Sequence, residues 1–209
     1  MWNKWVLRCV WLGGFLTLPL LLLGHDPAEN RIFMVPNAGQ WPEQVIAQVE
    51  LPAMRIYIER DGIRWQSAHP QDVEAMHQAQ APEQMRMHAW KTTFLGSSFK
   101  SAPEFSQPLP FKRNYFLGNN PQYWANDITP FQTLVLPNFY PGIDLRFNVQ
   151  EGFKYEFVVQ PGANPKLISA EVAGLNSQVL PDGRLYYAAT TGDFYEEAPV
   201  AWTESSSKK

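Results

Sequence analysis

The chain has 209 residues, of which 45% are hydrophobic and 14% aromatic, so it is long and apolar enough to bury a core. Its 17 basic and 20 acidic residues give a formal net charge of -3, and removal of the first 24 residues takes away Lys4 and Arg8 but no acid. No stretch is strongly basic, which argues against binding of nucleic acid through its phosphates. The 18 prolines and 13 glycines predict many turns and few long helices.

The N-terminus is predicted to be a targeting segment. Lys4 and Arg8 precede an apolar run over residues 10–23, which is shorter than the about 20 residues that a membrane span needs. Residues 1–24 therefore indicate a signal peptide. The alternative is an uncleaved anchor at this position, and only through such an anchor would the protein be attached to a membrane. Cys9, the single cysteine, lies inside this segment, so the mature chain has no disulfide.

The first part of the mature chain predicts strands and one helix. Residues 45–50 alternate in polarity, and residues 55–65 indicate a hairpin turned at Asp61-Gly62 that sets Ile58 opposite Trp65 and Glu59 opposite Arg64. Residues 72–81 contain good helix formers and end before Pro82, which predicts a short surface helix. Further strands are expected over residues 88–95, 114–118 and 131–136.

Residues 140–162 carry the clearest pattern in the chain. Apolar and polar residues alternate on both sides of Gln150-Glu151-Gly152, the period of two half-buried strands. A three-residue loop with glycine in the left-handed conformation sets Val149 opposite Phe153 and keeps the two faces sorted. The same register sets Phe147 opposite Tyr155, Leu145 opposite Phe157 and Arg146 opposite Glu156.

After this hairpin, residues 167–172 predict a strand, and Pro181-Asp182-Gly183 predicts a turn that sets Val179 opposite Leu185. About ten to twelve short strands favour an all-β chain, an antiparallel β-sandwich or stacked-sheet (supersandwich-like) fold with one short helical excursion. We expect a single domain over residues 25–204, with two packed sub-sandwiches over 30–118 and 119–204 as the alternative. Residues 205–209 are predicted to be a disordered tail.

Patterns for metal and nucleophilic chemistry are weak. His69, His77 and His88 are spread along one polar stretch, and Glu74 with His77 forms a single E-x-x-H, whereas a carboxylate di-metal site needs two. There is no G-x-S-x-G sequence and no glycine-rich phosphate loop. We therefore expect no metal, no cofactor and no catalytic residue.

Four carboxylates are candidates for glycoside hydrolysis by residue type alone: Asp144, Glu156, Glu196 and Glu197. Asp144 follows a Pro-Gly-Ile turn and stands out among them. An enzyme that acts on polysaccharide with Asp144 and a second carboxylate is thus an alternative function. The competing interpretation is that Asp144 caps the turn by accepting hydrogen bonds from backbone amides.

Aromatic residues are numerous, and most of those at strand spacing are expected in the core. Tyr123 and Trp124 differ because polar residues flank them: Asn119, Asn120, Gln122 and Asn126. Tyr123 and Trp124 are therefore the best candidates for an exposed aromatic cluster, and a glycan-binding module that uses these two rings is a further alternative function. Asp144 is the third candidate binding residue.

Six short motifs follow one another over almost the whole mature chain, each occurring once. They are NAGQWP at 37–42, NYFLGN at 114–119, YPGIDL at 140–145, KYEFVV at 154–159, PGANP at 161–165 and APVA at 198–201. This set resembles an uncharacterised N-terminal domain of large exported bacterial cell-surface proteins, of the kind with β-propeller repeats and gliding-motility or type IX secretion sorting domains. The resemblance implies export and a surface role, and it supplies no catalytic residues.

From these features we expect an exported, non-enzymatic module of the cell envelope, in the periplasm, on the outer surface or outside the cell. We expect it to act in binding, including adhesion, or in structural presentation, like the N-terminal domain of a large surface protein. Its expected partners are glycans or other surface proteins, without nucleic acid.

Overall fold

The computed structural model describes residues 4–10, 32–80, 82–97 and 99–204. Most of the predicted signal peptide and the whole predicted tail at 205–209 lie outside these residues, and both stay predictions. In the described part of the chain, no helix is both long and apolar enough to cross a membrane.

The described residues form seventeen strands and one α-helix. The first nine strands are β1 (Lys4–Val10), β2 (Met34–Pro36), β3 (Val45–Leu51), β4 (Met54–Glu59), β5 (Gly62–Ala68), β6 (Met87–Phe94), β7 (Glu104–Pro108), β8 (Arg113–Phe116) and β9 (Trp124–Ile128). The others are β10 (Phe131–Tyr140), β11 (Ile143–Asn148), β12 (Lys154–Val159), β13 (Ala170–Ala173), β14 (Asn176–Val179), β15 (Leu185–Ala189), β16 (Gly192–Glu196) and β17 (Val200–Glu204). Helix α1 spans Pro70–His77, and 3-10 turns span Pro121–Tyr123 and Pro165–Leu167.

A large curled antiparallel sheet dominates the fold. Its strand order is β13-β6-β5-β4-β3-β2-β10-β11-β12-β1-β17, and β7 also pairs with β10. Strands β14, β15 and β16 form a second sheet, and β8 with β9 forms a third. The predicted all-β, sandwich-like class with one helical excursion is confirmed, with 52% of residues in strands. Strands from both predicted halves mix in the large sheet, since β6 pairs with β13 and β2 with β10.

The predicted register of the 140–162 hairpin is confirmed. Leu145 lies opposite Phe157 and Phe147 opposite Tyr155, and all four side chains are buried. On the other face Arg146 lies opposite Glu156, with Nη1 and Oε2 at 3.5 Å. Gly152 takes a φ of +94°, as the three-residue turn requires.

The second sheet packs on the large one through aromatic side chains. The ring of Trp90 on β6 lies 6.2 Å from that of Tyr187 and 5.3 Å from that of Phe194. The hydroxyls of Tyr155 and Tyr187 both donate to the buried carboxylate of Glu196, one from each sheet. Burying a carboxylate is tolerated where donors satisfy its oxygens, so this contact fixes how the sheets stack.

The predicted register of the hairpin at residues 55–65 is wrong by two positions. Ile56, not Ile58, lies opposite Trp65, and the turn residues are Arg60 and Asp61. Gly62 belongs to β5, where a Cβ would lie 2.0 Å from the carbonyl oxygen of Thr92 on β6. The glycine thus permits close approach of two strands, which only the tertiary structure reveals. A shift of two keeps every side chain on its predicted face.

Helix α1 covers residues 70–77 rather than 72–81. Pro70 occupies the first turn, where a missing N–H costs nothing, and the imidazole of His69 accepts from the N–H of Gln71. The helix ends early, because Gln78 leaves the helical conformation and Ala79 has a φ of +56°.

Strand β1 lies between β12 and β17, with Val6 opposite both Val158 and Trp202. It comes from the segment that the sequence predicts to be a signal peptide. Strand β17 is the outermost strand on this side of the large sheet, and β1 is its neighbour. Removal of residues 1–24 would therefore change this edge of the sheet.

Candidate binding surface

Strands β8 and β9 form a hairpin that rests on the large sheet through one face. Tyr115 and Ala125 lie opposite each other on the inner face, and Ala125 and Ile128 pack with Val35 in a second small core. The Tyr115 ring meets Trp41 edge to face at 5.1 Å, and burial raises the pKa of the Tyr115 hydroxyl. Because successive side chains of a strand alternate, the next residues must point outward.

The outer face of this hairpin exposes large apolar side chains. Phe116 is 62% exposed and lies opposite Trp124, which is 42% exposed. Their rings meet edge to face with centroids 5.6 Å apart. Tyr123 is 50% exposed and Leu117 41% exposed. We call these four residues, Phe116, Leu117, Tyr123 and Trp124, the aromatic platform.

Local hydrogen bonds hold the aromatic platform in place. The Trp124 indole Nε1 donates to the carbonyl oxygen of Gly118 at 3.2 Å, which fixes the ring across the turn. Asn120 caps the 3-10 turn. Its side-chain Oδ1 accepts a hydrogen bond from the backbone N–H of Gln122 at 3.0 Å, and its backbone carbonyl accepts one from the N–H of Tyr123 at 3.1 Å. The ring positions are thus set before any ligand arrives, which lowers the entropy cost of binding.

The surroundings of the platform are polar but nearly uncharged. Exposed amide side chains border it: Asn119, Asn120, Gln122 and Asn126. Arg113 pairs with Glu50 at 3.8 Å, and Lys112 donates to Thr129 at 2.7 Å and lies 3.9 Å from Asp127. The two cations at the start of this hairpin therefore have partners, and the platform offers apolar ring faces together with neutral donors and acceptors.

Asp144 lies in the large sheet rather than on the hairpin. Its Oδ1 accepts from the backbone N–H of Asn138 at 2.8 Å, and Oδ2 accepts from Gln160 Nε2 at 3.3 Å. Asn138 has a φ of +50° at an irregularity between β10 and β11. The carboxylate thus ties down a strained backbone position, and the structure does not bring Asp144 together with Tyr123 and Trp124.

Two of the other candidate carboxylates, Glu156 and Glu196, are also engaged. Glu156 pairs with Arg146, and Glu196 is buried between two tyrosine hydroxyls on the core side of β12. Asp144 lies on the opposite face of the sheet from that core, since Ile143 and Leu145 beside it are buried. Among the described residues, no group of three or more His, Cys, Asp or Glu side chains is placed to hold a metal ion.

Sequence reasoning selected Tyr123 and Trp124 but missed Phe116 and Leu117. Tyr115 and Phe116 are adjacent aromatics in one short strand, so one of them must point outward. The sequence does not show which, because both neighbours of the pair are of mixed polarity. The contact of Tyr115 with Trp41, which lies 74 positions earlier in the chain, decides it, and no local pattern reveals that contact.

The family described as "Domain of unknown function (DUF7948)" matches residues 34–209, and the chain belongs to it. This agrees with the resemblance to an uncharacterised domain, and no enzyme family is indicated. No curated protein and no solved structure matches the chain.

Proposed function

We propose that this member of the DUF7948 family is an exported, non-enzymatic surface module that binds neutral glycans on its aromatic platform. The observation that carries the proposal is the exposed pair of Phe116 and Trp124, whose rings are fixed by the hairpin and by the Gly118 carbonyl. Monomeric soluble proteins rarely expose contiguous apolar groups without a binding role.

Sugar chemistry suits this surface better than the alternatives do. The axial C–H groups of a pyranose pack on an aromatic face, and its hydroxyls take hydrogen bonds from neutral amides. A nucleic acid would need unpaired cations, whereas Arg113 and Lys112 at the start of this hairpin have acidic or hydroxyl partners. A protein partner with an apolar patch is the competing occupant.

Export is the second part of the proposal. It is supported by the basic and apolar N-terminal segment and by the resemblance to exported surface proteins. The link to gliding-motility and type IX secretion proteins belongs to the same proposal. A platform for glycans is also of use mainly outside the cytoplasm.

The alternative of an enzyme that acts on polysaccharide has less support. Both Asp144 oxygens accept hydrogen bonds from the chain itself, and a glycosidase needs a second carboxylate about 5–10 Å away across a cleft. The bonding of Asp144 fits a structural role instead.

Binding to a panel of soluble polysaccharides, followed by calorimetry, tests the proposal. We expect at least one glycan to bind, and Phe116→Ala and Trp124→Ala to lose at least about tenfold in affinity. Tyr186→Ala is the matched control, because Tyr186 forms a partly exposed ring pair with Tyr195 on the second sheet. Glycan binding that survives both platform variants, or hydrolysis of the bound glycan, would overturn the proposal.

A further inference from the structure

A groove of about 320 Å³ lies between helix α1 and the turn that joins β3 to β4. Four of the six methionines of the chain border it, together with the histidine at the end of the helix: Met54, Met76, Met85, Met87 and His77. We call this the methionine groove. Three of these methionines are exposed: Met76 by 49%, Met85 by 37% and Met87 by 45%.

Helix geometry places two groove residues side by side. Met76 lies three and His77 four positions after Val73, so each is a neighbour of Val73 on the surface of α1. Each also borders the groove. A thioether and an imidazole are therefore presented together on a rigid element.

An ion pair holds the segment that carries Met85 and Met87 against the helix. The buried carboxylate of Asp72 on α1 accepts from the backbone N–H of Arg86 at 2.8 Å and from its Nη2 at 2.5 Å. The carbonyl of Arg86 in turn accepts from the N–H of His69 at 2.9 Å. Since Met85 and Met87 flank Arg86, these bonds hold both methionines beside the helix face.

The chemistry of the groove is that of soft, neutral donors. Thioether sulfur prefers Cu(I) among the biological metals, and neutral imidazole also accepts copper, whereas Mg²⁺, Ca²⁺ and Mn²⁺ prefer oxygen. The charged groups at the groove balance each other, because Arg55 lies 3.9 Å from Glu50. Methionine is otherwise a residue that proteins bury, so three exposed copies in one groove call for a reason.

We propose that the methionine groove binds a soft monovalent metal ion, Cu(I), through the sulfurs of Met76, Met85 and Met87 and the imidazole of His77. This site is independent of the aromatic platform and of the proposed glycan binding. It also departs from the expectation of no metal, which considered histidine and carboxylate ligands alone. An apolar peptide is the competing occupant, since methionine-lined surfaces also adapt to such segments.

Substitution by leucine separates these two occupants. Leucine keeps the volume and apolar character of methionine but has no sulfur donor. A triple variant, Met76→Leu, Met85→Leu and Met87→Leu, should lose the metal while keeping any apolar docking. Met34→Leu is the control, because Met34 is fully buried in the core away from the groove.

Two measurements on the full chain test the proposal. The first is a titration with Ag(I), a redox-inert analogue of Cu(I), in chloride-free buffer, followed by NMR of the methionine methyl groups. The second is binding of Cu(I) in competition with a Cu(I) chelator. We expect one ion per chain, with the groove methyl signals shifting and that of Met34 unchanged. His77→Ala and each single leucine variant should weaken binding at least about tenfold, and the triple variant should abolish it. Failure of the wild type to bind either ion at micromolar concentration, or equal binding by the triple variant, would overturn the proposal.

Discussion

Phe116 and Trp124 lie opposite each other on the outer face of one short hairpin, with ring centroids 5.6 Å apart and planes at 89°. Their inward neighbours, Tyr115 and Ala125, also lie opposite each other and pack toward the large sheet. The same pair of strands thus has an anchoring face and a free aromatic face. This division makes the two roles separable by mutation.

Tyr115→Ala and Trp124→Ala should act differently. Tyr115 is half-buried against Trp41, so its truncation should lower the free energy of unfolding by about 2 kcal/mol. Trp124 is exposed, so its truncation should change stability by less than about 1 kcal/mol and affect ligand binding alone. Urea denaturation followed by circular dichroism measures both, and equal losses would show that Trp124 also anchors the hairpin.

Asp144 should behave as a structural residue. Asp144→Ala removes the acceptor for the Asn138 N–H and should cost about 1 kcal/mol, since that exposed N–H can turn to water. Asp144→Asn keeps an acceptor oxygen and should cost less. Denaturant unfolding of the two variants provides the comparison. If Asp144→Asn kept full stability but lost turnover on a polysaccharide, Asp144 would be catalytic instead.

The ion pair of Asp72 with Arg86 should make the groove acid-sensitive. Hydrogen bonds from the Arg86 guanidinium and backbone N–H lower the pKa of the Asp72 carboxyl from 3.8 to about 2. Because the folded state has the lower pKa, the pair stabilises the fold above pH 3.8 and this contribution is lost as the pH falls through about 2. Carboxyl carbon shifts in NMR follow this titration directly.

Hydrogen exchange of the α1 amides gives a second readout of the same pair. Their protection should fall in acid in the wild type and should show no such dependence in Asp72→Asn. Titration of Asp72 near 3.8 would contradict the fastening of α1 through Arg86.

Gly62 and Gly152 should respond differently to alanine. A Cβ at Gly62 meets the Thr92 carbonyl oxygen at 2.0 Å, so Gly62→Ala must push β5 away from β6 and should cost about 3 kcal/mol. Gly152 has no atom within 4 Å of such a Cβ, so Gly152→Ala meets only the cost of its positive φ, about 1–2 kcal/mol. Thermal unfolding ranks the two, and the reverse order would refute the close strand contact.

A chain that begins at residue 25 should fold, if residues 1–24 are a cleaved signal peptide. It lacks β1, so the amides of β17 lose their neighbouring strand and should exchange rapidly, while those of β11 between β10 and β12 stay protected. Hydrogen exchange by mass spectrometry on the two chain lengths compares them. An unfolded shorter chain would show that β1 is indispensable and would contradict the proposed export by cleavage.

The sequence predicts this fold where local pattern and turn chemistry agree. The register of β11 with β12 follows from alternation, because any odd shift would bury Arg146 or expose Phe147. The turn at Pro181-Asp182-Gly183 predicts that Val179 lies opposite Leu185, and this pairing is confirmed. The predicted register of β4 with β5 is wrong, because Gly62 serves close approach to another strand rather than the turn. That role depends on Thr92, thirty positions away in the chain.

The candidate sites were less accessible from sequence. Trp124 could be singled out by its polar neighbours, whereas the exposure of Phe116 depends on which ring packs against Trp41. The methionine groove is lined by residues from α1, from β4 and from both sides of Arg86. The contact of Asp72 with Arg86 brings the last of these next to the helix, and local sequence does not show that contact.

The most direct test of the account is the affinity of the wild type and of Trp124→Ala for the same soluble glycan, measured by calorimetry beside Tyr186→Ala. We predict that the wild type and Tyr186→Ala bind equally, and that Trp124→Ala binds at least about tenfold more weakly while remaining folded. Equal affinity of all three proteins, or no binding by the wild type across the whole panel, would contradict a glycan-binding aromatic platform.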